Sequence, residues 1–417
     1  ENQRVEGNQL IWDFAAGKTL TWAKPLRHAW QGVNVESMGY LADKGQDFVM
    51  GNAMGTGPYR VTEHKSDDTI TLEGVKNHWR IQPGFETVKL LEVEEQTTRI
   101  AMLLSGDSDG TLVGVPFIDQ VSVPGVQLVG SKQDSGNGVT VYMGGNYRVR
   151  VDAVTGELAP SEYIGTDPWV GQLDDPVSME NARMVRKAMT VGIDRALIRD
   201  QVLGGVGCLA YNYGYTTCDA YFDKYDEEYG WTDPFDLEAA RQLIIDAGYP
   251  DGFEFSVWIP SDSGETAAEI QTAIYHMWED IGLHPTIDSR GTDVRMDSLT
   301  HLRNLNDVWI SPWGGACNVL SCVAQELGAW NATIEWNWGA DFPEAYDIAS
   351  RLMNATETGP AWDIAAEYFE YIHENYLAFS TVVYAEPFAI GPRVGSVDMN
   401  QKWRSIPELE SWQPALD

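Results

Sequence analysis

The chain has 417 residues, too many for one compact core, and at roughly 100–200 residues per domain it predicts two or three domains. Hydrophobic residues make up 43% and charged residues 22%, with 40 Gly, 19 Pro and no biased tract, which excludes global disorder. Sixty-two Asp and Glu against 28 Lys and Arg give a formal charge of -34, a balance that repels a phosphate backbone or an anionic lipid surface and speaks against nucleic acid as a partner. With ten Lys to eighteen Arg, ammonium groups are scarce on a carboxylate-rich surface, as in proteins that stay soluble in high salt. No apolar run approaches the roughly 20 residues that span a bilayer, and the chain opens on the polar ENQRVEGNQL. Both features predict a soluble chain, mature or truncated.

Residues 59–93 alternate like paired strands: YRVTEH, a polar turn at 65–68, TITLEG, a Pro-Gly turn and ETVKLLEVE. A short amphipathic helix from Thr97 to Leu104 ends at Gly106, and strand-like runs follow at 111–115, 126–129 and 139–143. From 147 to 180 the pattern lapses into Gly, Pro and Asp and reads as a long connection. Helices and strands then alternate. Asp194 can cap a helix carrying Leu197, Ile198, Val202 and Leu203 that stops at Gly204–Gly205, and Asp233–Pro234 offers a cap and a first-turn proline ahead of Leu237. The clearest helix runs from Glu265 to Ile281, with Ile270, Ile274, Met277 and Trp278 on one stripe and Gly282 as its stop. Strands FEFSVWI and PTI flank it. The strand DVWI at 307–310 leads into a Trp-Gly-Gly turn, helices follow at 343–353 and 361–376, and 379–390 is strand-like again.

The four cysteines form two close pairs, Cys208 with Cys218 and Cys317 with Cys322, neither in CxxC spacing, so the commonest zinc and dithiol readings fall away. Of three possible connectivities, the one made of the two local bridges Cys208–Cys218 and Cys317–Cys322 closes short loops most easily, and disulfides would place the chain outside the cytoplasm. Motifs for metal and phosphate chemistry are absent: no HExxH, no GxxxxGK[ST], and seven histidines without metal-ligand spacing. GTGPYR at 55–60 lacks the third glycine of a dinucleotide loop and precedes a strand. With 62 carboxylates, an acidic pair at glycosidase separation is inevitable and therefore uninformative. Neither a catalytic group, a metal site nor a cofactor is expected. Among 16 Trp, five (Trp309, Trp313, Trp330, Trp336 and Trp338) fall within thirty residues; flat apolar faces of this kind suit ligand binding as well as core packing.

Several segments together resemble the family 5 extracellular solute-binding proteins, the oligopeptide-, dipeptide- and nickel-type substrate-binding proteins of ABC importers. They are GTGPYRVTEHKSDDTITLEGVKNHWR at 55–80, ETVKLLEVEEQTTRIAMLLSGDSD, ARMVRKAMTVGIDRALIRDQVLGG at 182–205, DLEAARQLIIDAGYPDGF at 236–253 and DVWISPWGG at 307–315. These occur in family order over about 50–415.

The resemblance implies an α/β, two-lobed periplasmic-binding-protein-like fold (type II, cluster C) that lacks the N-terminal strand and extra domain. Residues 1–54 would be a remnant of that domain and its return path, 55–146 plus 379–417 lobe I, 147–180 the crossover and 181–378 lobe II. It implies a monomer that captures a small molecule or oligopeptide between the lobes and delivers it to an ABC permease. Its place would be periplasmic or extracellular, lipid-anchored in a full-length precursor. The pocket residues it implies are Trp313, Gly314, Gly315 and Ala316, with Arg303, Asp262, Tyr142 and Tyr384 approaching the cleft. Peptide-binding members carry an Asp three residues after the pocket Trp, where this chain has Ala316, so the anchor for a peptide ammonium is missing. Cys317 and Cys322 would then stiffen the pocket loop. The alternative readings are a secreted carbohydrate-active enzyme and a sugar-binding receptor or sensor.

Overall fold

The computed structural model describes residues 2–6, 9–13, 38–52, 54–130, 137–145, 150–151, 158–159, 167–212, 215–219, 221–295, 307–312, 342–355, 358–398 and 407–416. Twelve strands carry the architecture: β1 Tyr59–Lys65, β2 Thr69–Gly74, β3 Thr87–Leu91, β4 Gly110–Leu112, β5 Gln127–Val129, β6 Asn137–Met143, β7 Cys208–Leu209, β8 Glu254–Trp258, β9 His284–Asp288, β10 Val308–Ser311, β11 Ala378–Tyr384 and β12 Phe388–Ile390. The principal helices are α1 Gln96–Ser105, α2 Pro176–Val191, α3 Leu237–Asp246, α4 Glu265–Asp280, α5 Pro343–Asn354 and α6 Thr358–Asn375.

The large sheet has six strands in the order β7-β11-β6-β10-β8-β9. Its β8, β9 and β10 are parallel, and β10, β6, β11 and β7 pair antiparallel. Period-2 alternation sends consecutive side chains to opposite faces. Val141, Val257, Val308 and Ile310 therefore join α2, α3 and α4 through Met189, Ile244, Ile274 and Trp278. Tyr142, Trp258 and Trp309 join α5 and α6 through Ile348, Ala365 and Phe369 on the other face. Helices cover both faces, which is why these strands read as nearly unbroken apolar runs. A second, three-stranded sheet, β4-β12-β5, packs with α1 around Ile100, Leu103, Val113 and Val121. The third, β1-β2-β3, is antiparallel, and the Phe85 that precedes β3 packs with Phe388, Ile390 and Trp412.

The helix ends follow the punctuation in the sequence with one exception. Gly106 and Gly282 adopt φ values of +80° and +90° behind α1 and α4, the left-handed geometry that glycine adopts without steric cost. Asp194 accepts from the Leu197 amide as expected. The cap of α3 is Asp236, which accepts from the Ala239 amide at 2.8 Å, not Asp233. Asp233 is drawn away by His373, whose Nε2 lies 2.8 Å from its carboxylate.

Two chain passages join the large sheet to the β4-β12-β5 sheet, one between Val129 and Asn137 and one through Ala385–Pro387. The described part of the stretch 147–180 includes the strand pair 150–151 with 158–159 and the first turn of α2. Strands 137–143 and 378–384 hydrogen-bond inside the large sheet, so the segments 55–146 and 379–417 each place a strand, in whole or in large part, in a sheet otherwise built from 181–378. Cys208 and Cys218 are disulfide-bonded, with Cα atoms 5.7 Å apart; Cys317 and Cys322 lie outside the described residues. Replacing both Cys208 and Cys218 by serine is expected to lower unfolding stability by about 2–4 kcal/mol, read as a shifted denaturant midpoint; an unchanged midpoint would mean the short loop is equally ordered without its cross-link.

Candidate functional site

In an open α/β sheet, the crevice beyond the carboxyl ends of parallel strands is where ligands bind, because loops diverge there and helices present their N-termini. Here that edge is formed by the ends of β8, β9 and β10, by the loop 259–264 and by the start of α4. Asp262 sits in this loop, and its Oδ1 accepts from the backbone amide and the hydroxyl of Thr292 at 3.0 and 3.1 Å. The bonds tie the loop after β8 to the one after β9. At its end β10 pairs Ser311 with Thr140, and Thr140 Oγ1 lies 3.0 Å from Ser380 Oγ.

Of the other expected site residues, Tyr384 is opposite Asn137 at this same end of the sheet, with its side chain buried among the core residues and its phenol pushed well up, first by burial and then by Glu386. Tyr142 lies deeper, opposite Trp309, and stacks on it with ring centroids 5.2 Å apart. The side chains of Tyr142 and Tyr384 enter different core clusters, on opposite faces of the sheet. Trp313, Gly314, Gly315, Ala316 and Arg303 lie outside the described residues, as do Trp330, Trp336 and Trp338; the chain reaches Pro312 at the strand-end edge, one residue before Trp313. Trp309 is a core residue, clamped between Tyr142 and Trp258, whose rings are stacked on it at 5.2 and 4.6 Å. The Arg295 guanidinium covers Trp258 from 5.2 Å and pairs with Asp307.

Two arginines of the segment 182–205 serve the interior rather than a ligand edge. Arg186 donates to the carbonyls of Asn375 and Trp169 at 2.7 and 2.6 Å. Arg195 donates to those of Ala210, Ser380 and Thr190 at 2.8, 3.1 and 3.2 Å, and lies over the rings of Tyr211 and Phe379. Burial pushes its guanidinium down to about 10, against the pull of Tyr211 and Asp233, so it stays charged at neutral pH. Beside it is a cavity of about 10 Å3 lined by Thr190, Asn212, Asp233 and Tyr376, room for about one water molecule and far too little for a solute.

Asp233 closes this region. Burial opposes its ionisation, but the hydrogen bond and charge of His373, helped by Arg195 and Lys187, outweigh it and hold the carboxyl below the usual range. A lowered folded value means that the unfolded chain binds the proton more readily on acidification. The stabilisation gained from the Asp233 carboxylate is therefore lost as the pH falls from the ordinary Asp value of about 3.9 through the lowered folded one. Asp233→Asn is expected to flatten that part of the acid-denaturation profile; a variant profile parallel to the parent's would show that the pair contributes no pH dependence.

The residues that sequence reasoning passed over are Asn137, Thr266 and Glu386, which meet at the passages between the sheets. Glu386 Oε1 accepts from Thr266 Oγ1 at 2.6 Å and Oε2 from Asn137 Nδ2 at 3.2 Å. The available signal was the single acid in the otherwise uncharged AFSTVVYAEPFAIG at 378–391. Among the described residues no group of three or more His, Cys, Asp or Glu could hold a metal, and no helix is long and apolar enough to cross a membrane.

Two sheets joined by two passages, with parallel strand ends beside the junction, define the two-lobed α/β fold of periplasmic binding proteins. A peptide-bound periplasmic binding protein of Helicobacter pylori superposes with a TM-score of 0.65 at 13% identity, covering 91% of this chain and 68% of that one. The oligopeptide-binding protein of Bacillus subtilis in complex with a nonapeptide gives 0.65 at 14%, covering 92% and 72%. The profile of the family described as bacterial extracellular solute-binding proteins, family 5, middle, matches residues 22–358, and the chain belongs to that family. Heme-binding protein A of Haemophilus influenzae is 28% identical over 210 residues, 49% of this chain and 31% of that protein, and the dipeptide-binding protein of Escherichia coli is 21% identical over 239 residues, 57% and 38%. The matched segments thus span about a third of the length of these curated relatives.

Proposed function

We propose that this chain captures a small molecule or peptide between its two units, as the solute-binding component of an ABC importer, and presents it to a membrane permease. It works as a monomer in the periplasmic or extracellular space and acts by binding, not turnover. The observation that carries the reading is the pair of passages at Val129–Asn137 and Ala385–Pro387 beside the parallel strand ends, a layout in which two bodies can close on a solute and exclude water. Family membership and the Cys208–Cys218 disulfide support it. In this reading Trp313, Gly314, Gly315, Ala316 and Arg303 continue the ligand wall from Pro312, and Asp262 fixes the neighbouring loop. Ligand shifts the open–closed equilibrium only by its greater affinity for the closed form.

The test is native mass spectrometry of the purified protein, followed by release and identification of what it carries. A stoichiometric small molecule or peptide that rebinds saturably and unchanged is the expected result. Empty protein that rebinds nothing from peptide, sugar and metal-chelate panels would overturn the reading, as would glycan turnover, which would favour a carbohydrate-active enzyme.

A further inference from the structure

Glu386 stands in the Ala385–Pro387 passage with only 9% of its surface exposed. Its Asn137 bond reaches the residue at which the other passage enters the large sheet, so one carboxylate links both crossings. Its Thr266 bond reaches the second residue of α4. Thr266 Oγ1 in turn accepts at 3.1 Å from the backbone amide of Val115, which follows β4 in the chain and packs its side chain into the large-sheet core at the junction. The same stretch is held from both flanks: the Val113 amide donates to the Pro387 carbonyl at 3.0 Å and the Gly114 amide to Gln96 Oε1 at 3.1 Å. The Glu386–Thr266–Val115 relay thus runs from the Ala385–Pro387 passage through the start of α4 to the segment that follows β4.

We propose that Glu386 is the positioning residue of the hinge: by holding Thr266 and Asn137 it latches the two units in the closed arrangement, and its ionisation favours opening. The consequence for ligand capture rests on the binding-protein reading, but the latch itself rests on geometry alone. The charged groups facing this carboxyl are Glu265 beside Thr266 on α4 and Arg99 on α1, which lie 3.6 Å from one another, with the Tyr384 phenol on β11. Burial is the strongest influence and, with Glu265, pushes the carboxyl above its usual range against the Thr266 bond and Arg99. Opening hydrates the group and removes that penalty, so the closed form binds its proton more readily. Raising the pH above the ordinary Glu value of about 4.3 therefore shifts the population toward open.

Glu386→Gln keeps an acceptor for Thr266 and, with Asn137 turned over, a bond to it, but cannot ionise; Glu386→Ala and Thr266→Val remove the relay. Hydrogen exchange of the peptide over 113–118, measured on ligand-free protein, reports the Val115 amide, and exchange of 139–143 in β6 reports global opening. In the Ala and Val variants the first is expected to exchange about tenfold faster while the second is unchanged, the signature of a lost local bond. Solution scattering is expected to show the wild type expanding as pH rises and Glu386→Gln remaining constant. Equal exchange in all variants, both segments accelerating together, or a pH response retained by Glu386→Gln would each overturn the latch. Because no ligand is added, failure of the transport reading leaves these outcomes unaffected.

Discussion

Replacing Trp258 by alanine is expected to destabilise the protein by about 3–5 kcal/mol, the range for truncating a large core aromatic. Trp258 is fully buried and is the outer ring of a ladder across three strands: its ring stacks on Trp309 at 4.6 Å, Trp309 on Tyr142 at 5.2 Å, and Arg295 lies over its other face at 5.2 Å. The ladder follows the sheet register, in which Trp258 is opposite Trp309 and Trp309 opposite Tyr142. Truncation removes packing on both ring faces and leaves Arg295 without the surface that covers it. The Trp258 Nε1 bond to the Arg290 carbonyl, 2.8 Å long, is lost as well. The check is the denaturant midpoint beside that of Trp79→Ala, a tryptophan 74% exposed, which is expected to change stability by no more than about 0.5 kcal/mol. Similar shifts in the two variants would contradict the assignment of the ladder to the core.

Arg195→Ala is expected to cost about 3 kcal/mol or more, because the carbonyls of Ala210, Ser380 and Thr190 each lose a bond from a buried charged donor, a bond worth about 1.5–3 kcal/mol. The residue also bridges Tyr211 and Phe379 by stacking. Arg195→Lys restores the charge but neither the planar fork nor the stacking area, so it recovers part of the loss. An alanine variant within about 0.5 kcal/mol of the parent would show that water entering the adjoining cavity satisfies those carbonyls. Trp258 lies on β8 and Arg195 in the short helix Arg195–Leu197, both outside the Glu386 relay, so the substitutions are expected to change stability without changing the pH response of the hinge.

The elements that local physics specifies were legible in advance. The stripe Ile270, Ile274 and Trp278 with Gly282 behind it predicts α4, found over Glu265–Asp280, because one amphipathic face and one left-handed glycine suffice to start and stop a helix. The hairpin at 59–74 and the strand at 307–310 were readable for the same reason. The cap of α3 was misplaced by one turn, since Asp233 and Asp236 are equivalent by local rules and only His373, 140 residues away, removes one of them. Family-level likeness in the ordered segments carried the two-lobed fold.

By itself, then, the sequence determined the alternation of helices and strands, set by neighbours within a turn or a hairpin, and the family, carried by segments in order along the chain; it favoured the local Cys208–Cys218 closure that the structure has. Only the tertiary structure decided which strands share a sheet, that Tyr142 stacks on Trp309 with both rings buried, and that Arg186 and Arg195 donate to interior carbonyls. It alone brought Glu386, Thr266 and Asn137 together, 120 and 249 residues apart in the chain. Pairings at such separations carry no local signal, because they are selected by the burial of apolar faces and by the demand that every buried polar group find a partner.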